Sequence, residues 1–72
     1  MRVKAGPRIY EMSVKKYHRL LAAASEQVPL GIYAVERPGY AELVNHRCAS
    51  RSQVKTARRA YQEQGWKVYA NG

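Results

Sequence analysis

Apolar positions recur along this chain in two rhythms, one near 3.6 residues and one near 2, the signatures of helix and strand. The helical rhythm comes twice. Val14, Tyr17, Leu20, Leu21 and Ala24 share one side of a helix, and Ser13 stands where an N-cap belongs. That helix is predicted to run to about Gln27, before Pro29. Val54, Ala57, Ala60 and Tyr61 mark a second helix, opened by the capping-box pattern Ser50-Arg51-Ser52-Gln53 and stopped near Gln64 by Gly65. Four strand-like stretches surround the helices: Arg8 to Met12, Leu30 to Glu36, Tyr40 to Cys48, and Trp66 to Ala70. Pro38-Gly39 forms a turn between the middle two.

The order β-α-β-β-α-β repeats itself weakly, because Ser13 to Tyr33 and Ser50 to Tyr69 span nearly the same distance. The expected fold is α+β, a ferredoxin-like sandwich in a single domain. Two helices would cover one face of a four-stranded antiparallel sheet and leave the other open. Alternation places Ile9, Ile32, Ala34, Leu43, Trp66 and Val68 under the helices. It places Tyr10, Tyr33, Val35, Tyr40, Val44, His46, Lys67 and Tyr69 on the open face. Such a face offers base stacking or a protein-docking patch. A register error of one residue would exchange the two faces.

Charge sharpens the picture. Thirteen Lys and Arg face five acids, all Glu, for a net charge of +8. That field draws polyanions or acidic protein surfaces. Its least compensated part lies on the second helix, where Arg51, Lys55, Arg58 and Arg59 share one side without an acid among them, with Arg47 just before. Like charges at these spacings repel by a few tenths of a kcal/mol per pair, a cost an anionic partner would remove. Lys15, Lys16 and Arg19 form a looser cluster, partly offset by Glu26. Arg2, Lys4 and Arg8 add charge near the amino terminus, where residues 1–7 are expected to be mobile and to order on contact. The predicted contact set is therefore Arg47, Arg51, Lys55, Arg58, Arg59, Tyr10, Tyr33, Tyr69, Lys67, Arg2, Lys4 and Arg8.

Chemistry beyond binding has little to work with. There is no Asp, and two His and one Cys make no recognisable zinc spacing. His46 and Cys48 share a strand face but lack a third, orienting group. No phosphate-binding loop, dinucleotide fingerprint or nucleophile elbow appears. No catalysis, metal, cofactor or small-molecule ligand is expected. The single Cys48 allows no internal disulfide, which suits a reducing cytoplasm. The longest apolar run, Leu20 to Ala24, is far short of the roughly 20 residues of a membrane span. No membrane partner is expected either.

Two resemblances bear on the partner. Gly39-Tyr40-Ala41-Glu42-Leu43 resembles the RNP1 motif of RNA-recognition domains at its glycine, first aromatic, small and aliphatic positions. It departs where Glu42 replaces a stacking aromatic and Pro38 replaces the leading basic residue. Taken whole, the small size, basic balance and the Ala22-Ala23-Ala24 and Ala57-Arg58-Arg59-Ala60 stretches resemble phage-encoded transcription regulators of the Xanthomonas-phage type. That resemblance implies binding to bacterial RNA polymerase near the start of its β′ subunit, with effects on σ-dependent initiation and on termination, in the host cytoplasm. No motif of that family maps onto individual residues here. Direct RNA or DNA binding is the alternative.

Overall fold

The computed structural model describes all residues, 1–72. Seven elements follow in order: β1 (Arg2–Ala5), β2 (Arg8–Glu11), α1 (Val14–Gln27), β3 (Gly31–Arg37), β4 (Tyr40–Arg47), α2 (Arg51–Glu63) and β5 (Lys67–Asn71). Both helices start where their caps predict. The Ser13 hydroxyl accepts from the Lys16 amide at 3.1 Å, and the Ser50 hydroxyl accepts from the Gln53 amide at 3.2 Å. Gln53 Oε1 accepts in return from the Ala49 amide at 2.7 Å, one residue earlier than a standard capping box would place the bond. The turn between β3 and β4 requires Gly39, whose φ is +74°.

The class is α+β, but the sheet is not the four-stranded antiparallel one that the pattern predicts. It has five strands in the order β2-β1-β4-β3-β5. The additional strand is β1, and its pairing with β4 is parallel (Val3 opposite Ala41, Ala5 opposite Leu43). All other pairings are antiparallel. Residues 1–7, expected to be mobile, thus supply an interior strand whose Val3 is fully buried.

A second departure follows from the strand order. β1, β4 and β5 run one way, and β2 and β3 the other. The crossovers β2-α1-β3 and β4-α2-β5 each join two parallel strands and advance across the sheet in the same sense, but the strands of the first run opposite to those of the second. Right-handed crossovers must then place their helices on opposite faces. The packing agrees. Tyr17 and Leu21 of α1 pack with Val3, Ala34 and Ala41, while Val54 of α2 packs with Ile32 and Val35. Ala34 and Val35 are consecutive in β3, so these are the two faces of one sheet.

A bulge at Tyr33 makes both sides of β3 usable. The register against β4 and β5 shifts between Ile32 and Ala34, so Ile32 and Val35, three apart, serve the same cluster. No helix is long and apolar enough to cross a membrane.

Candidate anion-binding surface

The predicted α2 stripe is only partly on the surface. Arg51, Lys55 and Arg59 are exposed and Arg58 is half-buried. The three ion pairs of the molecule lie elsewhere: the Met1 ammonium and Arg2 with Glu11, and Lys67 with Glu36. The four α2 cations therefore have no acid within 4.0 Å. They span about 12 Å along the helix at its ordinary rise. Ala57 and Ala60 turn the opposite flank of α2 toward His46 and Cys48 of the β4 end, so the stripe faces outward beyond the open edge of β5. Arg58 leans inward, and its Nε is buried without a hydrogen-bond partner.

Arg47 does not join this stripe. Its guanidinium donates to Asn45 Oδ1 at 3.2 Å and to the Gln27 carbonyl at 2.8 Å, closing the carboxyl end of α1. Arg2, Lys4 and Arg8 are exposed on the β1–β2 hairpin, with Arg2 3.8 Å from Glu11. They form no continuous surface with α2, which contacts β3 and β5 instead.

The predicted open tyrosine face does not exist as one surface. Tyr10, Tyr33, Tyr69 and Lys67 lie on the α1 side, whereas Val35, Tyr40, Val44 and His46 lie on the α2 side. Tyr33 and Tyr69 pack beneath α1 with ring centroids 6.2 Å apart. Of the predicted contact tyrosines only Tyr10 is well exposed, at 45%, on the edge strand β2. Ile9 (49%) and Val14 (56%) are the other large apolar side chains open to solvent, with Ile9 on the face of β2 opposite to Tyr10.

The RNP1-like stretch occupies β4, where Tyr40 donates to Glu42 Oε1 at 2.8 Å. That bond is the main reason the Tyr40 phenol is raised above its ordinary pKa. Tyr40 also lies 6.1 Å from the Trp66 ring, and Arg37 stacks on that ring at 3.8 Å. Tyr40 is thus part of a packed row. Cys48 Sγ faces the His46 carbonyl at 3.9 Å rather than its imidazole, which packs edge-on against Tyr61.

One polar group has no sequence signal. Glu36 of β3 projects on the α1 side into an open cavity of about 520 Å³, with Lys67 and Tyr69 across the strand and His18 and Tyr17 from α1. Its Oε2 accepts from the Tyr69 hydroxyl at 3.3 Å and lies 3.9 Å from Lys67 Nζ. The Tyr69 hydroxyl first, and then its charge and that of Glu36, hold Lys67 above the ordinary lysine value. Tyr17 is fully buried at the cavity floor, and its hydroxyl has no hydrogen-bond partner. Burial above all, with the nearby Glu36 charge, pushes its pKa far up. These groups meet only because α1 crosses the sheet, which no local spacing reveals.

No protein-family model matches this chain, and no curated protein or solved structure is detectably similar to it.

Proposed function

We propose that this protein is a nucleic-acid-binding domain without catalytic chemistry, gripping phosphates through α2. The observation that carries this reading is the unpaired set Arg51, Lys55, Arg58 and Arg59, set apart from every ion pair in the molecule. A helix that groups four cations and carries its one acid, Glu63, only in the last turn leaves a repulsion that polyanion binding relieves. The covering of Tyr33 and Tyr69 by α1 also favours phosphate contact over a broad stacking platform.

Salt titration tests it. Four contacts to single-stranded phosphates give a slope of log K against log salt near −3, since each contributes about −0.7. The variant R51E/K55E/R58E, which leaves Val54, Ala57 and Tyr61 packed, is expected to bind at least about tenfold more weakly with a shallower slope. Unchanged affinity in the folded variant would reduce the stripe to a solvated surface.

A second reading is the phage-type transcription regulator that docks on bacterial RNA polymerase, with the β′ subunit as its target and the host cytoplasm as its place of action. The exposed Tyr10 on the α1 side of the edge strand β2, with Ile9 exposed on the other face of that strand, favours it, because the edge offers a partner protein apolar contacts. Affinity capture from nuclease-treated bacterial lysate separates the readings. Recovery of polymerase, abolished by Ile9→Asp with Tyr10→Ala, supports the regulator. Binding to purified nucleic acid with no polymerase recovered supports the α2 reading.

A further inference from the structure

The cavity around Glu36 lies on the sheet face opposite α2, apart from the basic stripe. Its lining joins Val14, Tyr17 and His18 of α1 to Glu36, Lys67 and Tyr69 of the sheet, and the Pro38-Gly39 turn closes one end. Its volume, about 520 Å³, suits a nucleobase or a mononucleotide. The side chain of Glu36 is 21% exposed, so its carboxylate is reachable from solvent yet mostly shielded.

The two direct contacts of that carboxylate fall on Oε2, from Tyr69 and Lys67, and the Tyr17 hydroxyl lies nearby beneath it. An ionised carboxylate offers about four acceptor sites, so most of its capacity is unused. A ligand that meets it must present donors. A cation is disfavoured, because Lys67 already supplies positive charge beside the carboxylate. The fitting ligand carries neutral donors at the carboxylate and an anionic group outside it.

Among the nucleobases, guanine alone places two adjacent N–H donors, N1–H and N2–H, on its Watson–Crick edge. Adenine and cytosine each set a donor beside a ring acceptor, whose lone pair would face the carboxylate. Uracil and thymine set one donor between two acceptors. We infer that the Glu36 cavity binds an unpaired guanine base, with both carboxylate oxygens accepting from N1–H and N2–H. Lys67 Nζ, whose side chain is 68% exposed and whose contact with Glu36 is long at 3.9 Å, swings outward to the phosphate. Tyr69 keeps its hydroxyl on Oε2 and fixes the carboxylate plane. His18, exposed on the α1 wall, offers a ring for the base to stack against.

This site deepens the nucleic-acid reading without depending on α2, since the guanine belongs either to a single strand or to a free nucleotide. The test compares short thymidine oligonucleotides with one central guanine, hypoxanthine or adenine, by fluorescence anisotropy at fixed salt. Guanine is expected to bind about tenfold tighter than adenine, as a bidentate contact discriminates. Hypoxanthine, which lacks the N2 amino group, is expected to fall between them. Glu36→Gln is expected to erase the preference while keeping affinity for the adenine strand. R51E/K55E/R58E lowers affinity for all three strands and leaves the ratio intact, so loss of overall affinity and loss of selectivity report on different sites.

Guanosine monophosphate, followed by NMR at the His18 and Tyr69 rings and compared with adenosine monophosphate, identifies the source. Selective binding by the mononucleotide without strand binding assigns the cavity to free nucleotide and overturns only the α2 reading. Equal binding of guanine and adenine in both formats overturns the inference, as does a guanine preference that survives in folded Glu36→Gln. The hypoxanthine comparison uses the unaltered protein and decides the matter even if that variant does not fold.

Discussion

Tyr17 carries the sharpest residue-level consequence. A phenol buried without a partner costs folding free energy, about 1–3 kcal/mol for an unsatisfied group. Tyr17→Phe keeps the ring among Val3, Leu21 and Ala34 and removes that cost. The variant is expected to melt at the same temperature or higher. It also changes the alkaline limb of stability. The folded-state pKa of Tyr17 lies above the ordinary tyrosine value of 10.0, so the unfolded chain loses this proton first as pH rises. The stabilisation is complete below about pH 10 and is lost as pH climbs toward the folded value. Denaturant melts from pH 8 to 11 should therefore show a steeper alkaline decline in the parent than in Tyr17→Phe. Gly31 gives the opposite case. Its φ is +143°, and an added Cβ would collide with the His46 carbonyl oxygen across the strand pair. Gly31→Ala is expected to cost about 3 kcal/mol or more, read as a lower denaturation midpoint.

Among the elements, the helices were the most legible in sequence. Ser13 and Ser50 cap both where predicted, since capping is local chemistry between residues three apart. The strands β2 to β5 likewise lie within a residue or so of their predicted bounds. β1 also carries a local signal, since Arg2-Val3-Lys4-Ala5 alternates with period two and Gly6-Pro7 supplies the turn to β2. Its alternating basic residues read as a loose tail. Arg47 shows a further limit. Proximity in sequence to Arg51 suggested one basic group, but the strand face of Arg47 sends it to the end of α1. Asn71 does similar work from β5, where Nδ2 lies 2.9–3.0 Å from the Ser25 carbonyl and hydroxyl and the Val28 carbonyl. Asn71→Ala is expected to destabilise by about 1–2 kcal/mol, because it leaves acceptors at the α1 terminus without a donor. Thermal melting checks this, and amide protection near Val28 should fall with it.

At the scale of the whole molecule, one unrecognised strand changed the architecture and with it the candidate site. With β5 beside β3, α2 lies across the sheet from α1, and the tyrosines expected on one open face divide between two covered ones. The α2 stripe survived this revision because it depends only on helical spacing. The Glu36 cavity could not have been found from spacing, since it joins residues from α1, β3 and β5. The parallel β1–β4 seam has a dynamic consequence. It is the only strand pairing that joins the β1–β2 hairpin to the other three strands, while β3 knits β4 and β5 together by antiparallel ladders. Parallel pairing is slightly weaker per residue, and this seam is only four residue pairs long. Native-state hydrogen exchange should therefore resolve two cooperative units, with amides of β1 and β2 opening at lower free energy than those of β3. The hairpin that completes the sheet would then also be the part that leaves it first.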